Sequence, residues 1–460
     1  MDPELVRFAE AEAARLQVPG LSFGVVHEGR LHTASVGVTN VDHPLPVTAQ
    51  TAFQIGSTSK TVTATALMLL RERGDIDLEA PVRRYLPQFQ LTDEAYADAV
   101  TIRHLVTHHA GWDGDYFRDT GRGDDAVGSI VAKLVRSPQL VPPGMAFSYC
   151  NSAFYVVAHI VETIAGVPFE RFVRDNIFAP LGMAQTTYFP EETLTGRVAA
   201  GHIVTTDGPK VASPWYVPRS IAGGGGVIST VDDQLRYAAS HLPPGSLGGL
   251  EPVLKPESVA LMQSELARAG SMCEAVGVSW MLDTMGGERI VKHGGATNGH
   301  LSAFELVPAR GYACTVLTNS DGGREARETV AAACRKHFLG LEPDPIRPVA
   351  MSPSALGAYA GTYRATLALI EVRVEGDGLV AVDVTPGRQF AEQRHQPLPP
   401  APALLVFVGE DRTAIASGPH AGERVEFLRD AAGNVEWLRW DGRLAHRVQA
   451  LVQARSATHS

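Results

Sequence analysis

Apolar residues recur at helical spacing through most of the first 340 residues of the chain. The segment 57–73 is apolar on nearly every side, which is typical of a helix buried in the middle of a domain. Gly74 is expected to end that helix, because glycine suits a C-terminal cap. The pattern Ser-Thr-Val-Asp-Asp at 229–233 predicts the start of a further helix. The other segments with a helical period are 4–16, 101–107, 125–136, 151–165, 168–178 and 324–338.

Strand-like patterns lie on both sides of this helical region. Two β-prone runs flank the turn at 27–30, which predicts a hairpin. Residues 288–293, 300–307 and 312–318 predict three strands of an antiparallel meander. Because strands come from both ends of a mostly helical block, the simplest arrangement is one antiparallel sheet flanked by helices. The predicted fold class is therefore α/β, in the layered α+β sense.

The pattern changes after residue 340. Residues 341–348 are rich in proline, which predicts a linker. From 349 onwards the sequence has short β-prone runs, with hairpin turns expected at 376–378 and 441–442. We therefore predict three parts: a first domain at 1–340, the linker at 341–348, and a small β-barrel or sandwich at 349–460.

Composition and charge limit the classes of partner. The chain has 460 residues, 45% of them hydrophobic, and a formal net charge of −10, as expected of a globular protein. An acidic protein is not drawn to nucleic acid or to an anionic membrane, so neither is expected as a partner. No basic and apolar leader opens the sequence and no apolar run has the length of a membrane span, so we expect a cytoplasmic protein. The four scattered cysteines are expected to be buried thiols.

The first candidate for chemistry is Ser57-Thr-Ser-Lys60 at the start of the apolar helix. Residues three positions apart share a helix face, so Lys60 can reach the Ser57 hydroxyl. Burial lowers the pKa of a lysine, and a neutral lysine can accept the proton that a serine nucleophile must lose. An isolated motif of this kind is more often a helix cap beside an exposed lysine. Here the helix is too apolar for Lys60 to lie on an ordinary surface, which favours a nucleophile.

Two weaker motifs follow. Tyr149 and Asn151 lie where a loop meets the predicted helix at 151–165, so the tyrosine hydroxyl can point into a cleft and the amide can bind a substrate. Alternatively, Tyr149 is a packing wedge and Asn151 a helix cap. His293-Gly294-Gly295-Ala296 is expected at the end of a strand, where glycines let the backbone approach a ligand and free N–H groups can complete an oxyanion hole.

Other motifs are less convincing. The glycines at 223–226 lack the Lys-Ser/Thr of a phosphate loop, and no G-x-S-x-G elbow is present. His108, His109, Asp113 and Asp115 suggest a metal, but no helical pair of ligands supports one. Cys150 has no evident basic partner and is expected to be a packed residue. We therefore predict neither a metal nor a cofactor.

In order and spacing, Ser57-x-x-Lys60, Tyr149-x-Asn151 and His293-Gly294-Gly295 resemble the serine β-lactamase-related family, and most of all its class C β-lactamase and family VIII esterase branch. The resemblance covers about residues 5–340 and extends to other segments, among them VTIRHLVTHHAGW, PPGMAFSYCNSAFYVVAHIVETIAG, IFAPLGMAQTTY and AGGGGVISTVDD. It implies a β-lactamase/transpeptidase-like fold, in which an antiparallel sheet flanked by helices lies beside a helical lobe. The C-terminal β region resembles the lipocalin-like barrel that some members of the family carry.

The resemblance also implies roles for these residues. Ser57 would form an acyl-enzyme, Lys60 and Tyr149 would share the proton shuttle, and Asn151 would hold the substrate carbonyl and orient Lys60. The backbone N–H groups of Ser57 and Ala296 would form the oxyanion hole.

The motif at His293 departs from the family. β-Lactamases and penicillin-binding proteins usually carry Lys-Thr-Gly there, and a largely neutral histidine is a weaker anchor for a substrate carboxylate. The leading hypothesis is thus a serine hydrolase that cleaves an ester or amide of a small-molecule or short-peptide acyl substrate. The alternatives are a D-amino-acid peptidase or amidase, a β-lactamase-like activity, acyl transfer to an acceptor other than water, and a penicillin-binding-type sensor with little turnover. A homo-oligomer is possible.

Overall fold

A computed structural model describes residues 1–376, 378–385, 400–418 and 420–448, and the statements below concern these residues. The chain folds into two compact units, and the boundary between them lies between Asp344 and Pro345. Two predicted features fall partly outside the described residues. One is the expected turn at 376–378, of which Asp377 lies outside. The other is the predicted barrel at 349–460, of which 386–399, 419 and 449–460 lie outside.

Helices and strands are numbered in chain order. The helices are α1 (Pro3–Arg15), α2 (Ser59–Glu72), α3 (Glu94–Ala99), α4 (Ile102–Val106), α5 (Ala126–Val131), α6 (Asn151–Ala165), α7 (Phe169–Val173), α8 (Ala222–Gly225), α9 (Val231–Ala239), α10 (Pro256–Met262), α11 (Gly323–Leu339) and α12 (Pro353–Leu356). The strands are β1 (Gly20–His27), β2 (Arg30–Gly37), β3 (Phe53–Gln54), β4 (His202–Thr205), β5 (Gly208–Val211), β6 (Ile228–Ser229), β7 (Ala267–Arg268), β8 (Ala275–Val276), β9 (Met281–Met285), β10 (Glu288–Thr297), β11 (His300–Val307), β12 (Tyr312–Thr318), β13 (Gly361–Ala365), β14 (Ala368–Glu375), β15 (Gly378–Asp383), β16 (Ala403–Gly409), β17 (Arg412–Ile415), β18 (Arg424–Arg429), β19 (Val435–Trp440) and β20 (Arg443–Val448).

The first unit is built on an antiparallel sheet with the order β2-β1-β12-β11-β10-β9-β8-β7. Successive side chains of a strand point to opposite faces, and β1 shows this directly. Phe23 and Val25 pack in one core cluster with residues of α1 and α11. Val26 packs in the other cluster with residues of α2, α6 and α9. Both faces of the sheet are therefore covered by helices, and the predicted fold class is confirmed.

Helix α2 lies inside the larger core, as its apolar pattern predicts, and most of its residues are buried. Its buried threonines are compatible with this position because their hydroxyls bind backbone carbonyls. Thr63 Oγ1 donates to the Gly223 carbonyl at 2.7 Å, and Thr65 Oγ1 donates to the Thr61 carbonyl at 3.0 Å. The first of these bonds ties α2 to the segment at 223–226, and the second satisfies a buried hydroxyl within the helix itself.

Some predicted elements differ from the structure. Strands β7 and β8 have two residues each and β9 has five, so their alternation is too short to stand out in the sequence. Strand β10 runs through the glycine motif to Thr297, where the sequence pattern predicted an end at 293. Helix α9, by contrast, begins within the predicted capping pattern: Thr230 is its N-cap and accepts a hydrogen bond from the Asp233 backbone N–H at 3.2 Å.

The described part of the second unit is a closed antiparallel barrel of β13 to β20. β13 pairs with both β14 and β20, which closes the cylinder and leaves no free edge strand. Its interior is a packed core that includes Tyr363, Leu405 and Phe427. The predicted C-terminal barrel is confirmed as part of the fold.

Two expectations from composition can be compared with the structure. All four cysteines are buried and free, as predicted. Among the described helices, none is by itself long and apolar enough to cross a bilayer. The helical segments 151–165 and 169–178 reach that criterion only as a pair, which bends by 76°.

Three fully buried histidines predict that acid weakens the fold. Burial lowers the pKa of His241, His293 and His300 to about 3, far below the usual 6.5. Between pH 6.5 and 3 these three histidines therefore bind more protons in the unfolded chain than in the folded chain. The histidine contribution to stability is complete above pH 6.5 and is lost as the pH falls, by up to about 1.4 kcal/mol per pH unit for each histidine.

We accordingly expect a lower free energy of unfolding in urea at pH 5.0 than at pH 7.5. His241 packs against Tyr237 and Trp280, so His241→Phe keeps an aromatic ring and should reduce the difference between the two pH values. His43→Gln, at an exposed position, is the control and should leave the difference unchanged. Equal free energies at both pH values for the natural chain would contradict the prediction.

Candidate active site

Ser57 lies in the 3₁₀ turn Gly56–Thr58 that leads directly into α2. It is partly exposed, whereas its neighbours on both sides are buried, so its hydroxyl is the accessible group at this point of the chain. Gly56 has a φ of +53°, and a Cβ atom there would lie 2.6 Å from the backbone nitrogen of Ala296. Glycine thus permits both the turn and the close approach of strand β10.

Lys60 lies beneath Ser57 and is 0% exposed. Its Nζ lies 2.8 Å from Ser57 Oγ, 2.7 Å from Asn151 Oδ1 and 2.6 Å from the Gly224 carbonyl. The amide oxygen and the carbonyl can only accept hydrogen bonds. A neutral Lys60 would therefore direct its two N–H groups at them and leave its lone pair for the Ser57 hydroxyl. This arrangement suits a general base.

Asn151 is the first residue of α6 and is held from both ends of its side chain. Its Oδ1 accepts from Lys60, while its Nδ2 donates to Asp115 Oδ1 at 2.5 Å. Asn151 and Asp115 are both buried. The chain Asp115–Asn151–Lys60–Ser57 is therefore a continuous hydrogen-bonded network from the core to the partly exposed serine.

The Tyr149 ring lies beside Lys60, whose Nζ is 5.1 Å from the ring centroid. His108 stacks on the same tyrosine ring, with its ring centroid 4.3 Å from that of Tyr149 and an angle of 21° between the rings. The Cys150 backbone N–H donates to His108 Nδ1 at 3.0 Å. The histidine therefore fixes both the tyrosine ring and the backbone that follows it. His108 itself has a φ of 59°, which is uncommon for a residue other than glycine.

His293 lies on β10 with its ring centroid 6.3 Å from that of Tyr149. Its Nδ1 is 2.7 Å from the Gly294 carbonyl, which can only accept, so Nδ1 carries the proton and a neutral ring has none on Nε2. Burial and the nearby Lys60 lower the His293 pKa to about 3, so the ring is neutral near pH 7. Lys292 points to the opposite face of the sheet and pairs with Asp283 at 2.7 Å, so it does not take the place of the family's lysine.

The rest of the glycine motif brings β10 against the turn that carries Ser57. A Cβ atom on Gly295 would lie 1.9 Å from the Ile55 carbonyl, so no other residue fits without displacing the backbone. Ser302 Oγ donates to the same carbonyl at 2.8 Å. Arg327 Nη1 donates to the Gly295 carbonyl at 2.6 Å and so holds the strand from behind. Ala296, next along the strand, is exposed, and its backbone lies beside Gly56.

The structure therefore places every residue chosen from the sequence in one region, and their roles remain predictions. It also adds Asp115, His108 and the Gly224 carbonyl. From the sequence, the first two were considered only as metal ligands, and Gly224 only as part of a phosphate loop. The signal for the first two was a polar run, His-His-Ala-Gly-Trp-Asp-Gly-Asp, in an otherwise apolar part of the chain.

The rejected candidates have other structural roles. Burial raises the pKa of the Cys150 thiol to about 12, so it is a poor nucleophile. The glycines at 223–226 allow α8 to pack closely, because a Cβ atom on Gly223 would lie 2.5 Å from the Phe154 carbonyl. No group of three or more His, Cys, Asp or Glu residues that could hold a metal ion occurs in the described ranges.

Comparison with known proteins identifies the class. The family model described as Beta-lactamase matches residues 6–335. Penicillin-binding protein 4 of Amycolatopsis lactamdurans is 34% identical over 361 residues, which cover 75% of this chain and 93% of that protein. The helix-flanked antiparallel sheet is the fold of β-lactamases and transpeptidases, a class of serine acyl hydrolases and acyltransferases. The chain belongs to the beta-lactamase family.

Two solved structures match nearly the whole chain. SurE in complex with D-Leu has a TM-score of 0.73 and 23% identity, over 97% of this chain and 99% of that one. The octameric penicillin-binding protein homologue from Pyrococcus abyssi has a TM-score of 0.64 and 23% identity, over 94% and 97%. At this level of identity both matches show a shared fold. A protein with this fold is thus octameric, and a homo-oligomer of the present chain stays a prediction.

Proposed function

We propose that this chain is a serine hydrolase that cleaves an ester or amide through an acyl-enzyme on Ser57. The observation that carries the proposal is the 2.8 Å contact between the buried Lys60 Nζ and the partly exposed Ser57 Oγ. A helix cap beside a surface lysine, the alternative interpretation of the motif, does not account for a lysine that is 0% exposed.

In the acylation step, Ser57 Oγ attacks the substrate carbonyl carbon and its proton passes to Lys60 or Tyr149. The carbonyl oxygen becomes an oxyanion, which the backbone N–H groups of Ser57 and Ala296 stabilise. The bond to the leaving group then breaks, and the leaving group takes the proton. The Asn151 side chain holds the substrate and orients Lys60, and the Tyr149 ring is fixed by its stacking on His108.

Deacylation repeats the chemistry with water as the nucleophile. Tyr149 or Lys60 accepts one proton of the water molecule as its oxygen attacks the acyl carbon. The bond between that carbon and Ser57 Oγ then breaks, and Oγ takes the proton back as the acid leaves. The same geometry would also accept a nucleophile other than water, so acyl transfer differs from hydrolysis only in which acceptor enters.

The proposed substrate class rests on His293, which we assign with Gly294, Gly295 and Ala296 to the strand side of the substrate site. A neutral ring does not attract a carboxylate as a lysine ammonium does. This supports esters, amides and short peptides over efficient hydrolysis of β-lactams. A D-amino-acid peptidase or amidase is the second candidate. It is supported by the D-Leu complex of SurE, whose fold extends over 97% of this chain.

A panel of acyl donors tests the proposal. We expect turnover of p-nitrophenyl acetate, or of D-alanyl p-nitroanilide, with a transient adduct on Ser57 seen by intact mass. For the second candidate, the D-alanyl substrate should exceed the L-alanyl substrate in kcat/KM by at least about tenfold. Labelled penicillin should acylate more slowly than the preferred substrate. An unchanged mass across the whole panel would refute the proposal, and a burst without steady turnover would indicate a sensor.

A further inference from the structure

Asp115 is a buried carboxylate in the loop between α4 and α5 and is 5% exposed. Its Oδ1 accepts from Asn151 Nδ2 at 2.5 Å. An ionised carboxylate can only accept, so the amide nitrogen of Asn151 must face Asp115. The amide oxygen must then face the other way, and it lies 2.7 Å from Lys60 Nζ.

The orientation of this amide decides where the Lys60 lone pair points. With Oδ1 facing Lys60, a neutral lysine would donate to Asn151 and to the Gly224 carbonyl, which would direct its lone pair at the Ser57 hydroxyl, 2.8 Å away. With the amide reversed, Nδ2 would face Lys60 and would itself need an acceptor. It would then compete with Ser57 for the lone pair. An asparagine alone does not distinguish the two orientations, because its oxygen and nitrogen ends have nearly the same shape.

The backbone on both sides of this contact is fixed as well. The Gly114 carbonyl accepts from the Ser152 backbone N–H at 2.9 Å. A Cβ atom on Gly114 would lie 2.4 Å from Cys150 Cα, so the two segments touch through their backbones. Asp115 therefore cannot shift away from Asn151 without moving the start of α6.

We infer that Asp115 is a positioning residue, which holds the Asn151 amide so that the lone pair of Lys60 faces Ser57. The inference rests on the proposed function, since it concerns the activation of the same serine. Asp115 acts through Asn151.

The test compares full-length Asp115→Ala, Asp115→Asn and Asp119→Ala with the natural chain. Asp119 lies on the same loop and is exposed, so it is the matched control. Acylation of Ser57 by p-nitrophenyl acetate is followed as kcat/KM and kcat against pH, and folding is checked by circular dichroism. In Asp115→Ala the amide is free to reverse, and we expect kcat to fall by about 10- to 100-fold. KM should change by less than about threefold.

Asp115→Asn keeps an acceptor for Asn151 Nδ2, so its rate should stay within about fivefold of the natural chain. In both variants the ascending limb of kcat/KM should move to lower pH, because the negative charge that favours the Lys60 ammonium is lost. A merely structural defect would lower the rate without moving this limb. Asp119→Ala should behave as the natural chain.

Several results would overturn the inference. One is a rate for Asp115→Ala within about threefold of the natural chain, and another is an equal loss in Asp115→Asn and Asp115→Ala. A third is an ascending limb of kcat/KM that lies at the same pH in both Asp115 variants as in the natural chain. If Asp115→Ala does not fold, the test rests on Asp115→Asn: the inference holds only if the ascending limb of its kcat/KM moves to lower pH. If the natural chain is never acylated, the proposed function fails and the inference fails with it. An acylated natural chain with an unaffected Asp115→Ala refutes only the inference.

Discussion

Replacing Ser57 with alanine is expected to abolish the covalent adduct and to lower kcat/KM by at least about 10³-fold. Ser57 carries the accessible hydroxyl at the start of α2, and its Oγ contacts Lys60 Nζ at 2.8 Å. Alanine removes the only atom that bonds to the acyl group and leaves the backbone of the turn intact. The measurement is intact mass after incubation with an acyl donor, together with steady-state turnover.

The fold of this variant should be undisturbed, because the residue is partly exposed and the change removes a single atom. Ser264→Ala, a change at an exposed serine remote in sequence, is the matched control and should keep both the adduct and the turnover. An adduct of normal stoichiometry on Ser57→Ala would show that the nucleophile is another residue and would refute the proposed function.

The second large effect is expected for Lys60→Met, which keeps the length of the side chain and removes the amine. Without the amine, the Ser57 hydroxyl loses the group that accepts its proton, and acylation should slow by about 10³-fold or more. Unlike Ser57→Ala, this variant keeps its nucleophile, so a highly reactive ester should still label Ser57 over hours.

The thermal stability of Lys60→Met distinguishes a role of Lys60 in proton transfer from a structural role. Asn151 Oδ1 and the Gly224 carbonyl lose a donor in Lys60→Met, which costs about 1–3 kcal/mol for each group left unsatisfied. Removal of a buried amine relieves a desolvation cost of similar size. The melting temperature should therefore change far less than the activity. Lys133→Met, at an exposed position, is the control for loss of a lysine charge. Acylation at more than about one tenth of the natural rate would contradict the role of Lys60.

Elements with long and regular patterns were predictable from the sequence. Helix α6 begins and ends at the predicted residues 151 and 165, because its apolar period is sustained over four turns. Strands β11 and β12 also agree with their predicted ranges, since each is a buried run of strongly apolar residues. Strands β7 to β9 were missed because two to five residues do not establish a period.

The glycine motif shows a different limit. Glycine is uncommon inside strands, so the sequence predicted that β10 ends before Gly294. The structure continues the strand to Thr297, pairing Gly295 with Ser302. The reason is the Ile55 carbonyl, which leaves no room for a side chain at Gly295. Such a contact joins residues 240 positions apart, and no local pattern contains it.

By itself, the sequence determined the Ser57–Lys60 pair, because spacing along a helix places the two side chains on one face whatever surrounds them. It also determined the order of the Tyr149 and His293 motifs that indicate the family. Only the tertiary structure decided what surrounds Lys60. Asp115, Asn151 and the Gly224 carbonyl come from three separate segments, and their contacts depend on the packing of α2, α6 and α8. The direction of a lone pair in that network depends on these distances, which a linear pattern does not contain.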